Sequence, residues 1–116
     1  MRVNSKRSTL LLLMALAGCS SDPVPTEQLR VTDEAIAQAT ASGAQDQPEL
    51  AQAREHAAQA RAELASGRNK PARQAAEQAE LDARLAEALV LQAQQQARTA
   101  QLQVRIKRLR EQLEGQ

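Results

Sequence analysis

The feature that most constrains this chain is an unbroken row of small apolar residues at helical spacing in its second half. Counted in alternating steps of four and three, ten successive positions are all Ala or Val: Ala72, Ala76, Ala79, Ala83, Ala86, Val90, Ala93, Ala97, Ala100 and Val104. A mean spacing of 3.5 residues is typical of a helix that packs along one face. Neither Gly nor Pro occurs between Pro71 and Gly115. The pattern therefore predicts one helix of about 44 residues, roughly 66 Å long.

A second row of residues is expected to flank this seam. It begins with Leu81, Leu85 and Ala88, continues through Gln92, Gln95 and Thr99, and ends with Leu102, Ile106, Leu109 and Leu113. The seam itself changes phase near residue 102, because the positions that follow Val104 are Lys107 and Glu111. The apolar surface is thus expected to be broad near residues 71–90, narrow in the Gln-rich middle, and broad again at the C-terminal end.

The residues before Pro71 predict two shorter helices. The first begins at Thr26 or Thr32, both N-cap residue types, and stops near Gly43. The second begins at Pro48, ends at Gly67, and carries Leu50, Ala53, Ala57, Ala60 and Leu64 on one face. Because no segment alternates with period two, we expect an all-α fold. Residues 26–90 would form an Ala-rich helical hairpin or three-helix domain, and residues 91–116 a protruding, coiled-coil-like helix.

Residues 1–18 have the pattern of a bacterial export signal. Three basic residues precede an apolar run, Leu10 to Ala17, that is much shorter than the roughly 20 residues of a membrane-spanning helix. The junction Leu16-Ala17-Gly18-Cys19 resembles the lipobox of bacterial lipoproteins. That resemblance implies cleavage between Gly18 and Cys19 and a diacylglycerol and an N-acyl group, such as palmitate, on Cys19. The alternative is an incidental Cys in an ordinary secretory signal.

The lipoprotein resemblance also implies a location. Ser20, rather than Asp, follows the Cys, which by analogy with enterobacterial sorting implies the periplasmic side of the outer membrane. Several acyl chains make such attachment effectively permanent. Residues 19–25 would then be the lipidated Cys and a polar, Pro-bearing tether.

Composition and charge argue against several functions. Residues 19–116 carry 12 basic and 14 acidic side chains, so there is no basic excess to favour nucleic acid. A single Cys rules out an internal disulfide and a multi-Cys zinc site. We interpret the only His, His56, as a solvated helix-surface side chain. The charged residues of the long helix are interpreted in the same way, with some pairing at spacing i,i+4: Arg73, Glu77, Glu80, Asp82, Arg84 and Glu87. We therefore expect no catalytic residue, metal, cofactor or small-molecule substrate.

Parts of the second and third helices resemble a known family, the bacterial envelope proteins grouped as domain of unknown function 4398. The resemblance is carried by Ser42-Gly43-Ala44, by Pro48-Glu49-Leu50-Ala51-Gln52-Ala53, by Leu64 and Gly67, and by the run from Ala72 to Ala83. Membership implies a lipoprotein or exported protein with an Ala-rich helical hairpin like a tetratricopeptide unit. It brings no known catalytic residues.

Two candidate binding features lie in the last part of the long helix. Leu102, Ile106, Leu109 and Leu113 would be exposed beyond the hairpin, which predicts packing against a second copy or another helical envelope protein. The alternative is a frayed, solvated helix end. The basic residues Arg105, Lys107, Arg108 and Arg110 either complement the helix dipole or contact an anionic partner, such as peptidoglycan or lipopolysaccharide.

Overall fold

The computed structural model describes residues 22–116, which form three helices. Helix α1 spans Thr26–Ala41, α2 spans Pro48–Ala65, and α3 spans Asn69–Glu114. The all-α prediction, with a long C-terminal helix, is confirmed. The predicted signal (residues 1–18), the lipobox with Gly18 and Cys19, and Ser20 lie outside the described residues.

The two turns between the helices are built in the same way. Gly43 and Gly67 have φ values of +94° and +72°, a region that L side chains rarely adopt. At the first turn, the backbone N–H of Ala44 donates to the carbonyl oxygen of Ala39 at 3.0 Å and that of Gly43 to Thr40 at 3.1 Å. These two bonds make a Schellman cap, and Gly67 ends α2 with the same pattern. Both predicted helix stops are therefore confirmed.

The helix starts agree with the sequence at two places and differ at a third. Helix α1 begins at Thr26 rather than Thr32, and α2 begins at Pro48, as predicted. Helix α3 begins two residues before the predicted Pro71, at Asn69. The first three N–H groups of a helix have no intrahelical acceptor, so Pro71 fits within this first turn without losing a hydrogen bond. The first helical bond runs from the N–H of Ala72 to Arg68.

Small side chains make up most of the core between the helices. Leu50 is the one large apolar side chain that is completely buried among the described residues. It packs with Ala53, Ala83 and Ala86, and a second cluster nearer the other end of the hairpin contains Ala60, Ala75 and Ala76. The remaining buried residues of α2 and of the seam are Ala57, Ala72 and Ala79. The first five positions of the predicted seam are thus buried, because helices α1 and α2 both pack on the first half of α3. With Ala at the contact, helix backbones approach closely enough for dispersion to replace side-chain bulk.

Polar contacts link α1 to α3. Thr32 is buried, and its hydroxyl lies 2.8 Å from the carbonyl oxygen of Ala76 and 2.9 Å from that of Gln28. The Gln28 side-chain amide donates to Glu80 at 2.7 Å. This hydrogen bond, followed by one from Arg84, lowers the pKa of the Glu80 carboxyl. Thr32, which was a candidate N-cap, instead joins two helices from the middle of α1.

The second row of apolar residues does not flank the seam; it lies on the opposite face of α3. Leu81 is 61% exposed and Leu85 is 48% exposed, whereas Ala83 and Ala86 are fully buried. Each residue advances about 100° around a helix, so Leu81 and Ala83 point roughly 200° apart. The prediction of one broad apolar face near the hairpin was therefore wrong. Instead, α3 has two apolar faces, and helices α1 and α2 cover only one of them.

Residues 22–25 are fixed to the start of α3. The Asn69 side-chain amide donates to the carbonyl oxygen of Asp22 at 2.7 Å, and Arg73 lies 3.2 Å from the Asp22 carboxylate. Pro25 is buried. The predicted tether of residues 19–25 is thus held to the fold from Asp22 onward. The chain enters the domain at the opposite end of α3 from Glu114.

Candidate interaction surface on the second half of the long helix

The second half of α3 leaves the hairpin and continues alone. We call residues 91–114 of α3 the extension; at 1.5 Å per residue it is about 36 Å long. A contact near its start is the hydrogen bond from the Gln94 side chain to the carbonyl oxygen of Ser42, at 3.4 Å. Every residue of the extension is exposed. The later seam positions Ala93, Ala97, Ala100 and Val104 therefore have no covering helix within the described part of the chain.

Four large apolar side chains form a continuous line on the extension. We call this line the exposed stripe: Leu102, Ile106, Leu109 and Leu113, which are 50%, 48%, 52% and 75% exposed. Their spacing of four, three and four places them on one side of the helix. Val104 is 58% exposed but lies on the other side of α3. The stripe continues the second row, which begins at Leu81 and Leu85. We call the whole line the outer row, because it lies on the face of α3 away from α1 and α2, and it carries apolar residues at both ends.

Four of the five basic residues of the extension lie beside the exposed stripe, two on each side. At 100° per residue, Arg105 and Arg108 lie on one side of the stripe, and Lys107 and Arg110 lie on the other. Lys107 is 3.9 Å from Glu111, and this ion pair is solvated. The basic side chains therefore lie on both sides of the exposed stripe and do not form a single basic face.

Charge is distributed unevenly between the two halves of the molecule. Residues 22–90 carry 12 acidic and 7 basic side chains, a net charge of −5. Residues 91–116 carry 5 basic and 2 acidic side chains, a net charge of +3. The nearly neutral total conceals this separation, which the sequence analysis missed. Counting charges for each predicted segment would have found it.

His56 and Asp82 form a pair that the sequence analysis interpreted incorrectly. His56 Nδ1 lies 2.7 Å from Asp82 Oδ2, and the Gln78 amide donates to the other carboxylate oxygen at 3.0 Å. The His56 side chain is 37% exposed, and Asp82 is buried between α2 and α3. Asp82 is thus enclosed by the close packing of α2 against α3, and His56 is a partly covered side chain that bonds to it rather than a freely solvated one. The pair joins two helices by a hydrogen bond, as Thr32 does on the other side of the core.

Two of the predicted i,i+4 pairs form on α3, whereas Glu87 accepts a hydrogen bond from the Gln38 side chain of α1 at 2.8 Å. Arg84 lies 2.7 Å from Glu80, and Arg73 lies 3.8 Å from Glu77. Within residues 22–116, no group of three or more His, Cys, Asp or Glu side chains is arranged to hold a metal ion. Over the same residues, no helix is sufficiently long and apolar to span a bilayer. Among these features, the exposed stripe is the strongest candidate for a functional surface.

One solved structure closely resembles this chain. The crystal structure of a DUF4398 family protein from Pseudomonas aeruginosa PAO1 aligns with a TM-score of 0.74 and 46% sequence identity. The alignment covers 78% of this chain and 96% of the other. No family model matches the chain, and no curated protein matches it. The similarity to a solved member confirms the resemblance that the hairpin residues predicted.

Proposed function

This chain belongs to the DUF4398 family, and we propose that it acts as a non-catalytic helix-binding module of the bacterial cell envelope, anchored in the outer membrane by acyl groups on Cys19. The exposed stripe is the observation that carries this proposal. The four side chains remain about half exposed or more on the isolated helix, so they lose this contact with water only when another surface covers them. Covering the exposed half of each is worth about 1 kcal/mol before ordering costs.

The arrangement of the stripe favours a helical partner. A line of apolar residues with a mean spacing of 3.5, bordered by charged residues on both sides, is the surface that packs in coiled coils. An Ala-rich hairpin also offers little concavity for a small substrate.

Lipid attachment is supported by the sequence at residues 16–19 and by the geometry that follows it. Asp22 is three residues after Cys19 and is already held to the start of α3. An anchor at Cys19 would therefore be within about 10 Å of the hairpin. The stripe lies at the other end of α3, where a partner can approach it without contacting the membrane surface.

Two experiments test this proposal. The first is mass spectrometry of the chain purified from the envelope, in which we expect cleavage before Cys19 and acylation of that residue; Cys19→Ser should release the chain from the membrane fraction. The second places a photo-crosslinking amino acid at Leu109 in cells, with Val104 as the matched control on the other side of the helix. We expect a defined crosslinked product from Leu109 and none from Val104.

Either experiment can contradict the proposal. An unmodified Cys19 in the envelope form removes the lipid anchor. Equal crosslinking from Leu109 and Val104, or none from either, removes the helix-binding role of the stripe.

A second candidate function is binding to peptidoglycan or lipopolysaccharide through Arg105, Lys107, Arg108 and Arg110. The positive net charge of the extension favours it. Its test is a pull-down on purified peptidoglycan and on lipopolysaccharide with all four residues changed to Gln. Retention at low salt that is lost in this variant would support the anionic partner; no retention of the unchanged chain would exclude it.

A further inference from the structure

The outer row of α3 has the same spacing when it is followed from either end. Leu81 and Leu113 are each 16 residues from Ala97, Leu85 and Leu109 are each 12 residues from it, and Ala88 and Ile106 are each 9 residues from it. Two copies of α3 that run in opposite directions, with Ala97 at the same level, would therefore bring Leu opposite Leu and Ala opposite Ile.

We infer that this chain pairs with a second copy of itself, antiparallel along α3, so that the exposed stripe of each copy packs on Leu81, Leu85 and Ala88 of the other. The inference rests on the proposed function and names the partner for the same surface. The face is free for such pairing, because helices α1 and α2 occupy the opposite side of α3 at the level of the hairpin.

Charge complementarity favours this partner and this direction. In the antiparallel arrangement, the extension of each copy, with net charge +3, lies beside the hairpin of the other copy, with net charge −5. At the level of the hairpin, the partner's Arg105 lies on the side of Glu87. Complementary charges of this kind select partner and orientation more than they add affinity.

A parallel pair is disfavoured by the same charges. In the parallel register, the residues that border the stripe would put Arg105 beside the partner's Arg110, which places like charges together. It would also place the two acidic hairpins side by side and the two basic extensions side by side. Two like-charge contacts oppose the antiparallel pair: Arg98 meets the partner's Arg98 near the two-fold axis, and Arg84 is level with the partner's Arg110. All of these side chains are exposed, so salt screens their repulsion.

The middle of the row supplies the polar layers of the pair. Gln95 faces the partner's Thr99, and Gln92 faces the partner's Leu102. A Gln amide can donate to a Thr hydroxyl, so the central layer forms hydrogen bonds in this register. Polar residues at core positions of a coiled coil commonly fix its register.

The contact is long enough for a stable dimer. Residues 81–113 of each copy overlap over about 50 Å, and a helix is about 10 Å wide, so the two faces together bury on the order of 1,000 Å². A symmetric two-fold contact also closes on itself, so it makes a dimer and not a filament.

Sedimentation equilibrium of the full chain carrying Cys19→Ser tests the association. We expect a dimer that becomes at least tenfold weaker on Leu109→Glu, with helix content unchanged. Val104→Glu is the matched control, because Val104 has similar exposure on the other side of the same helix, and this variant should remain a dimer. A monomer at 100 μM, or an equal loss in both variants, would overturn the inference.

Cysteine pairing tests the direction and the register. The Cys19→Ser chain has no other thiol, so single Cys residues can be introduced at chosen positions. A mixture of Leu85→Cys and Leu109→Cys chains should form a mixed disulfide, and either chain alone should form little. A mixture of Leu85→Cys with Leu102→Cys, one heptad away, is the register control. Dominant same-site disulfides would indicate a parallel pair and overturn the inference, as would equal yields in the two mixtures.

The two proposals fail in different ways. If the chain is monomeric but Leu109 crosslinks to a different protein in cells, self-pairing is wrong and the helix-binding function remains. If the stripe binds phosphatidylglycerol vesicles in a Leu109-dependent manner and the chain stays monomeric, its partner is a lipid surface, and self-pairing is again wrong.

Discussion

The two halves of α3 carry the same sequence pattern, but the pattern is buried in the first half and exposed in the second. In the first half, five consecutive seam positions, from Ala72 to Ala86, are completely buried by α1 and α2. In the second half, the positions from Ala93 to Val104 continue with the same spacing and are exposed. The difference comes from length, because α1 and α2 have 16 and 18 residues and α3 has 46. A heptad pattern therefore specifies a packing face, and the neighbouring helices decide where that face is buried.

The strongest test of this contrast removes one Leu from the covered hairpin, on α2, and one from the uncovered extension. Leu50→Ala should lower the free energy of unfolding by about 2–4 kcal/mol, because it leaves a cavity among Ala side chains that cannot collapse to fill it. Leu109→Ala, measured where the chain is monomeric, should change it by less than about 0.5 kcal/mol. Urea unfolding followed by circular dichroism measures both. Equal effects would mean that the extension is packed and not free.

The next test adds volume at equivalent seam positions, two heptads apart. Ala83→Leu should destabilise the hairpin by about 1–3 kcal/mol, because the close helix contact has no room for three more carbon atoms. Ala97→Leu should be nearly neutral, since the site is exposed and Leu is almost as good a helix former as Ala. The same unfolding measurement compares them. A neutral Ala83→Leu would show that the helices are not in close contact at this level.

A third comparison uses two Thr residues, one buried and one exposed, that lie inside helices. Thr32→Val should cost about 1 kcal/mol, because the buried hydroxyl bonds to Gln28 and Ala76 across two helices. Thr99→Val on the exposed extension should have an effect near zero in the monomer. Equal changes in the two variants would mean that the Thr32 contact adds nothing to the hairpin.

The smallest expected effect concerns pH. The pKa of Glu80 is lowered in the folded state, mainly by the hydrogen bond from Gln28 and also by Arg84, so its carboxylate stabilises the fold above the ordinary value of 4.5. That contribution is lost as the pH falls from 4.5 through the lowered folded-state pKa. Glu80→Gln should therefore flatten the loss of stability on acidification by a few tenths of a kcal/mol, and Glu114→Gln on the extension is the control. An unchanged pH profile in Glu80→Gln would contradict the role of this contact.

Much of the architecture could be predicted from the sequence, because it depends on local signals. Gly43, Pro48 and Gly67 set the helix boundaries through backbone conformations that few other residues adopt. The inner seam could be predicted from its spacing. The exposure of the outer row could not be predicted, because spacing alone does not say which of two apolar faces of α3 the shorter helices cover.

The missed contacts have a shared physical reason. Thr32, His56 and Asp82 are polar residues whose roles depend on the approach of a second helix. No local pattern marks such a residue, since the same side chain would be unremarkable on an isolated helix. The candidate surface was easier to predict, because its residues remain exposed and depend only on the periodicity of α3.

The attachment of Asp22 to the first turn of α3 has a geometric consequence. Whatever precedes residue 22 is held at one pole of the molecule, and Leu113 stands at the other, about 65 Å away along a single continuous helix. Helix α3 is thus a spacer of fixed length between its two poles. Two surfaces joined by this protein would be separated by a distance set by residue count, and removing one heptad from the extension would shorten that distance by about 10 Å.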